Sequence, residues 1–140
     1  MSEQNKESVR RFYAGISEGR LEIINELLAE NFVEHEKLPG LEPNREGVRK
    51  MFEMFRRAFP DLRLRADDMV AEADKVFLRG TMTGTHKSEF LGIPPTGKTI
   101  VVPFGDFIRF EAGRVVEHWG VTDTGAMMEQ LGQTGGPAAY

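Results

Sequence analysis

Pro60-Asp61-Leu62-Arg63-Leu64-Arg65-Ala66-Asp67 is the point at which the hydrophobic period of this chain changes. Before Pro60, apolar residues recur at helical spacing. After it, Leu62, Leu64 and Ala66 alternate with Arg63, Arg65 and Asp67, as on a strand with one buried face. Helices followed by a run of strands predict an α+β fold, with the helices gathered on one face of a sheet.

Upstream of the switch three helices are expected. Val9, Phe12, Tyr13 and Ile16 form the apolar stripe of the first, over residues 3–18, with Glu3 and Glu7 early where the helix dipole favours anions. Gly19 breaks it. Leu21, Ile24, Leu27 and Leu28 make a second stripe that ends near Asn31. Phe32 and Val33 lead into Glu34-His35-Glu36, a short extended piece before a loop with Pro39, Gly40 and Pro43. Asn44 is placed to cap a third helix, whose face is Val48, Met51, Phe52, Phe55 and Phe59 and whose end is set by Pro60.

Downstream, Glu72 to Asp74 reads as a turn and Val76 to His86 as a long strand, bent at Gly80 and Gly84. A loop follows, carrying Gly92, Pro94, Pro95 and Gly97. Thr99 to Phe110 is the next strand, Glu111-Ala112-Gly113 a turn, and the β-branched run after it a final strand reaching Asp123. Ala126, Met127 and Leu131 belong to a closing helix stopped by Gly132. The expected architecture is a bent, mainly antiparallel sheet wrapped around the helices. It leaves a cone-shaped cavity under the third helix, a default place for a ligand. Residues 1–132 read as one domain and 133–140 as a loose tail.

The 140 residues suffice for a single core, and 40% hydrophobic with 29% charged residues is ordinary for a globular chain. A net charge of -4 argues against nucleic acid or an anionic membrane as the partner. Without cysteine there is no disulfide, thiolate nucleophile or cysteine metal site. Met1 to Ser8 does not read as a signal peptide, and no apolar run approaches the ~18 residues of a membrane span. A cytoplasmic protein is expected.

Strand alternation places the chemistry. Phe104, Asp106, Ile108 and Phe110 share one face, and Val116, His118 and Gly120 share one face of the next strand. Counting back from a turn centred at Ala112 sets Asp106 opposite His118, a carboxylate–imidazole pair suited to acid/base work. Met82, Gly84 and His86 share a face of the preceding strand, so His86 joins the pair if that face is inward. The alternative for Asp106 and His118 is a structural hydrogen bond. His35 between two glutamates can equally be solvated, Trp119 a core or oligomer contact, and Asp123 the cap of the last helix.

No metal site is expected, because no short ligand spacing such as His-x-x-x-His occurs. Thr96-Gly97-Lys98-Thr99 lacks the first glycine of a phosphate loop and lies between strands, and no dinucleotide fingerprint is present. No cofactor is expected.

Gly84-Thr85-His86-Lys87-Ser88-Glu89-Phe90-Leu91-Gly92-Ile93-Pro94-Pro95-Thr96-Gly97, the Gly113 to Trp119 strand and the ending Glu129-Gln130-Leu131-Gly132 together resemble the SnoaL-like polyketide cyclase (ester cyclase) family. The N-terminal helices are compatible, so the resemblance spans nearly the whole chain. It implies the cone-shaped α+β barrel of nuclear-transport-factor-2-like proteins and self-association through the sheet, as a dimer or tetramer. It also implies a cofactor-free intramolecular aldol condensation that closes a ring of an aromatic polyketide ester. In those cyclases an aspartate on the final strand is the acid/base, aided by a histidine on the adjacent strand.

Aligned on Gly113 and the Gln-Leu-Gly ending, those two positions hold Gly120 and Asp106 here, whereas His118 and His86 match the family pattern. The family's aspartate is therefore not transferred. A rearranged set is expected: Asp106 and His118 as the acid/base pair, with His86 or Tyr13 donating to an enolate oxygen. Met51, Phe55, Phe104 and Phe110 would wall a flat small hydrophobic or aromatic substrate, a polycyclic ketone or ester, with His35, Trp119 and Asp123 completing the binding set. The alternatives are a cofactor-independent hydroxylase, an epoxide hydrolase, or a non-catalytic binding or dimerisation module. An epoxide hydrolase is disfavoured because Asp106 and Arg109 have opposite strand parity.

Overall fold

The structure is a computed structural model and describes residues 2–37 and 39–133. The elements run α1 (Ser2–Ser17), α2 (Ile23–Leu27), β1 (Leu28–Glu34), α3 (Arg45–Ala58), β2 (Arg63–Glu72), β3 (Lys75–Thr85), β4 (Thr99–Glu111), β5 (Arg114–Thr122) and α4 (Thr124–Gln130). Residues 133–140, read as a tail, lie outside the described residues except for Gln133.

The change of period at Pro60 is the boundary between α3 and β2. Asn44 caps α3 by accepting from the amide of Gly47 at 3.0 Å. Phe59 and Leu62, either side of Pro60, are fully buried and anchor the switch in the core. The strands form an open five-stranded sheet in the order β1-β5-β4-β3-β2, antiparallel except where β1 runs parallel to β5. Helices α1 and α2 and the apolar side of α3 cover the inward face, joining Ile16, Ile24 and Phe59 to Leu78, Ile100 and Val102 in one core. Among the described residues, no helix is long and apolar enough to cross a membrane.

Two expectations of local structure are corrected. The second apolar stripe does not stay helical to Asn31: α2 ends at Leu27, and Leu28 already pairs with Val115 of β5. Pairing with a distant strand buries Leu28 and Phe32 and overrides a short helical pattern. The second correction concerns register. The β4–β5 turn is a two-residue connection in which Ala112 (φ 51°) and Gly113 (φ 80°) are both left-handed, with Glu111 facing Arg114. A shift between Arg109 and Phe110 then adds one residue on β5. Asp106 therefore faces Gly120, and His118 faces Ile108, instead of Asp106 facing His118.

Gly80 lies at the bend where β2 changes register between Ala66 and Asp68. A Cβ there would lie 2.5 Å from the Phe104 ring and 2.6 Å from the Arg65 carbonyl oxygen, so only glycine fits. On the outward face Val70 faces Phe77, Phe77 faces Phe107, and Phe107 faces Trp119. This apolar row crosses four strands, and its members are between 37% and 64% exposed.

Candidate active site

The inward face of β4 and β5 carries a polar cluster near the β1 side of the sheet. There His118 of β5 donates from Nε2 to Asp106 Oδ1 at 2.7 Å and from Nδ1 to Glu34 Oε2 at 2.5 Å. The Asp106 contact runs diagonally along the shared face, one step from the residue directly opposite. The Glu34 contact follows from the parallel pairing of β1 with β5, which sets Glu34 beside His118. The Tyr13 hydroxyl, brought by α1, donates to Asp106 Oδ2, and the backbone amide of Glu36 donates to Glu34 Oε2 at 3.0 Å.

A carboxylate oxygen at each ring nitrogen requires both nitrogens to carry hydrogen, so His118 is an imidazolium. Its burial disfavours the charge, but hydrogen bonds and charges from Asp106 and Glu34 outweigh that cost and raise its pKa to about 10. Such a group cannot serve as a base near neutrality; it is a fixed positive charge and a donor. Burial, then the Asp106 charge and hydrogen bond, push the Tyr13 phenol well above its usual value, so it too remains a donor.

Glu36 is the third carboxylate. Its Oε2 accepts from Thr122 Oγ1 at 3.1 Å, and burial raises its pKa, opposed by the His118 charge and reinforced by that of Asp106. Its place depends on Gly120. A Cβ on Gly120 would lie 2.3 Å from Glu36 Oε1, 2.7 Å from His118 Cε1 and 2.9 Å from Asp106 Oδ1. A side chain at 120 and this arrangement of charges exclude each other.

Ligand atoms of Glu34, Glu36 and His118 lie within 4.8 Å of one another, a spacing a metal could use. A histidine ligates through a lone pair, and as bonded here His118 offers none. The donor set therefore fits proton chemistry better than metal binding.

The structure separates the expected site residues. Tyr13, Phe104, Asp106 and His118 come together, the Tyr13 and Phe104 rings meeting edge-on at 5.9 Å between centroids. His86 does not join them. It sits beyond the far end of β3, wholly buried, with Nδ1 bonded to the Thr96 hydroxyl and amide and the ring 5.4 Å from that of Phe59. Phe55 belongs to that second cluster, 5.2 Å from Phe90, while Met51 is half-buried on α3 and Phe110 is core. His35 and Trp119 stack at 4.6 Å, and His35 pairs with Glu117, which shares the outward face of β5 with Trp119. Asp123 caps α4 by accepting from the Ala126 amide at 2.9 Å. Arg109 is engaged by Glu111 and Glu117 and does not reach Asp106.

Two open depressions are found among the described residues near this region. One of about 360 Å³ is bordered by Glu34, Glu36, Leu41 and Pro43. A second of about 300 Å³ is bordered by Phe104, Val121 and Asp123. Both fall near the lower end of volumes that hold small ligands. Glu34 and Glu36 were missed as site residues although period 2 across Glu34-His35-Glu36 puts both on one face. What the pattern cannot reveal is that this face meets His118.

Comparison with known proteins agrees with this fold. The model of the SnoaL-like polyketide cyclase family matches residues 7–131. IdmH from Streptomyces antibioticus, a candidate polyketide cyclase, is 32% identical, with 92% of this chain and 99% of that chain covered and a TM-score of 0.82. AclR from Streptomyces galilaeus, a candidate hydroxylase, is 31% identical, with 95% and 98% covered and a TM-score of 0.86. TsrD from Streptomyces laurentii is 28% identical, with 93% and 96% covered and a TM-score of 0.83. Among curated proteins none matches.

Proposed function

We propose, from the premise that this chain belongs to the SnoaL-like polyketide cyclase family, that it performs cofactor-independent acid/base chemistry on a small aromatic or polycyclic ketone or ester, either aldol cyclisation or isomerisation. The observation that carries this reading is the imidazolium of His118 held between Asp106 and Glu34, with Tyr13 on the same aspartate. Removing a proton next to a carbonyl needs a carboxylate base and a positive environment for the enolate that forms. The cluster supplies both: three carboxylates surround one fixed cation. His118 is then the electrostatic stabiliser and not the base, and the depression beside Glu34 and Glu36 receives the substrate.

The test is exchange of α-protons in D2O, followed by proton NMR, with 2-tetralone and methyl 2-naphthylacetate as probes. Exchange above the buffer rate, reduced at least ~100-fold in Asp106→Asn, is expected. No exchange with either probe would leave a non-catalytic binding module as the better reading.

The likeness to AclR, a candidate hydroxylase, supports a second reading in which the same carbanion reacts with dioxygen. Oxygen uptake that accompanies turnover would favour it over cyclisation. The reading includes a cytoplasmic homodimer joined through the outward row of Val70, Phe77, Phe107 and Trp119. Exposed aromatic rows of this kind favour association with a second copy.

A further inference from the structure

We propose that Glu36 is the proton carrier of this site, delivered from the segment after β1 into the space that the glycine at 120 leaves open on β5. The inference rests on the acid/base reading above and names the group that moves the proton.

Each of the other ionisable groups in the cluster is committed. His118 donates from both nitrogens, Tyr13 donates to Asp106, and Asp106 accepts from both of them. Glu34 accepts from His118 and from the Glu36 amide, and it is almost wholly buried. Proton transfer by any of these would break an ion pair inside the fold. Glu36 is held differently. Thr122 secures one oxygen, and the other points at the Cα of Gly120, between Asp106 and His118. It also borders the depression of about 360 Å³, so a substrate placed there lies beside this residue.

The charge count supports the same choice. Glu34, Glu36 and Asp106 carry three negative charges against the one positive charge of His118, which favours a proton on one of the three. Burial raises the pKa of Glu36, against the opposing His118 charge and with the Asp106 charge reinforcing it. A carboxyl whose pKa is raised is suited to take and return a proton.

The step balances as follows. The Glu36 carboxylate takes the proton from the carbon next to the substrate carbonyl. The C–H electron pair becomes the enolate double bond, and the carbonyl oxygen takes the negative charge beside the His118 imidazolium. In a cyclisation the enolate carbon attacks a second carbonyl in the same molecule, forming a C–C bond and an alkoxide. The Glu36 carboxylic acid protonates that alkoxide and returns to carboxylate. No oxidant or second substrate enters.

The experiment uses the full chain with 2-tetralone. Side-chain 13C NMR, assigned with Glu36→Gln, follows the Glu36 carboxyl through a pH series, and α-proton exchange is measured over the same range. Glu36 is expected to titrate above the ~4.3 of an ordinary glutamate, and the acid limb of kcat/KM to share its midpoint. Glu36→Gln should lower exchange at least ~100-fold and abolish that limb, with 2-tetralone affinity by calorimetry unchanged. Gly120→Ala keeps the glutamate but displaces its carboxylate, and should cause a comparable loss. If wild type exchanges protons while Glu36→Gln or Gly120→Ala retains its rate and pH profile, Glu36 is not the carrier and the acid/base reading survives without it. If wild type exchanges nothing, that reading falls, and the role of Glu36 with it.

Discussion

Asp106 is paired across the sheet with Gly120, yet its carboxylate is bonded at 2.7 Å to His118, one step along the same face. The position opposite Asp106 is Gly120 and has no side chain, and the Glu36 carboxylate occupies that volume. The cluster therefore draws on β1, β4, β5 and α1 at once, and its charges make specific predictions.

The first concerns pH and stability. His118 titrates near 6.5 when unfolded and at about 10 when folded. A raised pKa means that its stabilising effect is complete below pH ~6.5 and disappears as pH rises through about 10. Urea unfolding from pH 6 to 10 should show stability falling by up to ~1.4 kcal/mol per pH unit within this window. The slope should flatten in His118→Gln. A His118 ring that titrates near 6.5 by NMR would contradict the arrangement.

Tyr13→Phe removes the phenol that donates to Asp106 while keeping the ring against Phe104. Loss of a hydrogen bond to a charged group predicts a destabilisation of about 1.5–3 kcal/mol. Proton exchange should slow but not vanish, because His118 still orients the aspartate. Stability equal to wild type would mean that the hydroxyl contributes nothing.

His86→Phe tests the separation of the two clusters. His86 is buried beside Phe59 and Phe90, and its Nδ1 accepts from the Thr96 amide. Leaving that amide unpaired is expected to cost about 1–3 kcal/mol. Exchange of 2-tetralone protons should stay within about twofold of wild type, since among the described residues the side-chain hydrogen bonds and ring contacts of His86 go to Thr96, Phe59 and Phe90 and not to Asp106. A loss of tenfold or more would return His86 to the active site.

Phe107→Glu places a charge in the middle of the outward apolar row. Light scattering coupled to size exclusion should show a dimer for wild type and a monomer for the variant, with unchanged far-ultraviolet circular dichroism. A wild-type monomer at ~100 μM would rule out this face as a tight dimer contact.

Much of this was legible beforehand from particular residues. The switch at Pro60, the Asn44 cap, the Gly80 bend and the inward parity of Phe104, Asp106 and His118 all follow from rules that act over a few residues. The Asp106–His118 contact was anticipated from a register that was two residues out; the shared face was correct and a diagonal neighbour is within reach of an imidazole. The placement of His86 failed for a related reason. Parity assigns a face but not a position along it, and His86 lies beyond Thr85, which pairs with Thr99 at the start of β4, whereas Asp106 pairs with Leu78 further along.

The amino-acid sequence by itself determined the α+β order, the inward faces and the family, because periodicity, capping and turn residues are local properties written into neighbouring positions. Only the tertiary structure decided which carboxylates meet His118. Glu34 lies 84 residues from it and is brought alongside by a parallel pairing of β1 with β5 that leaves no periodic trace in either strand. Glu36 depends on that pairing and on an absent side chain at Gly120. Charge, burial and pKa are properties of the neighbours a group acquires, and these neighbours are chosen only when the chain closes on itself.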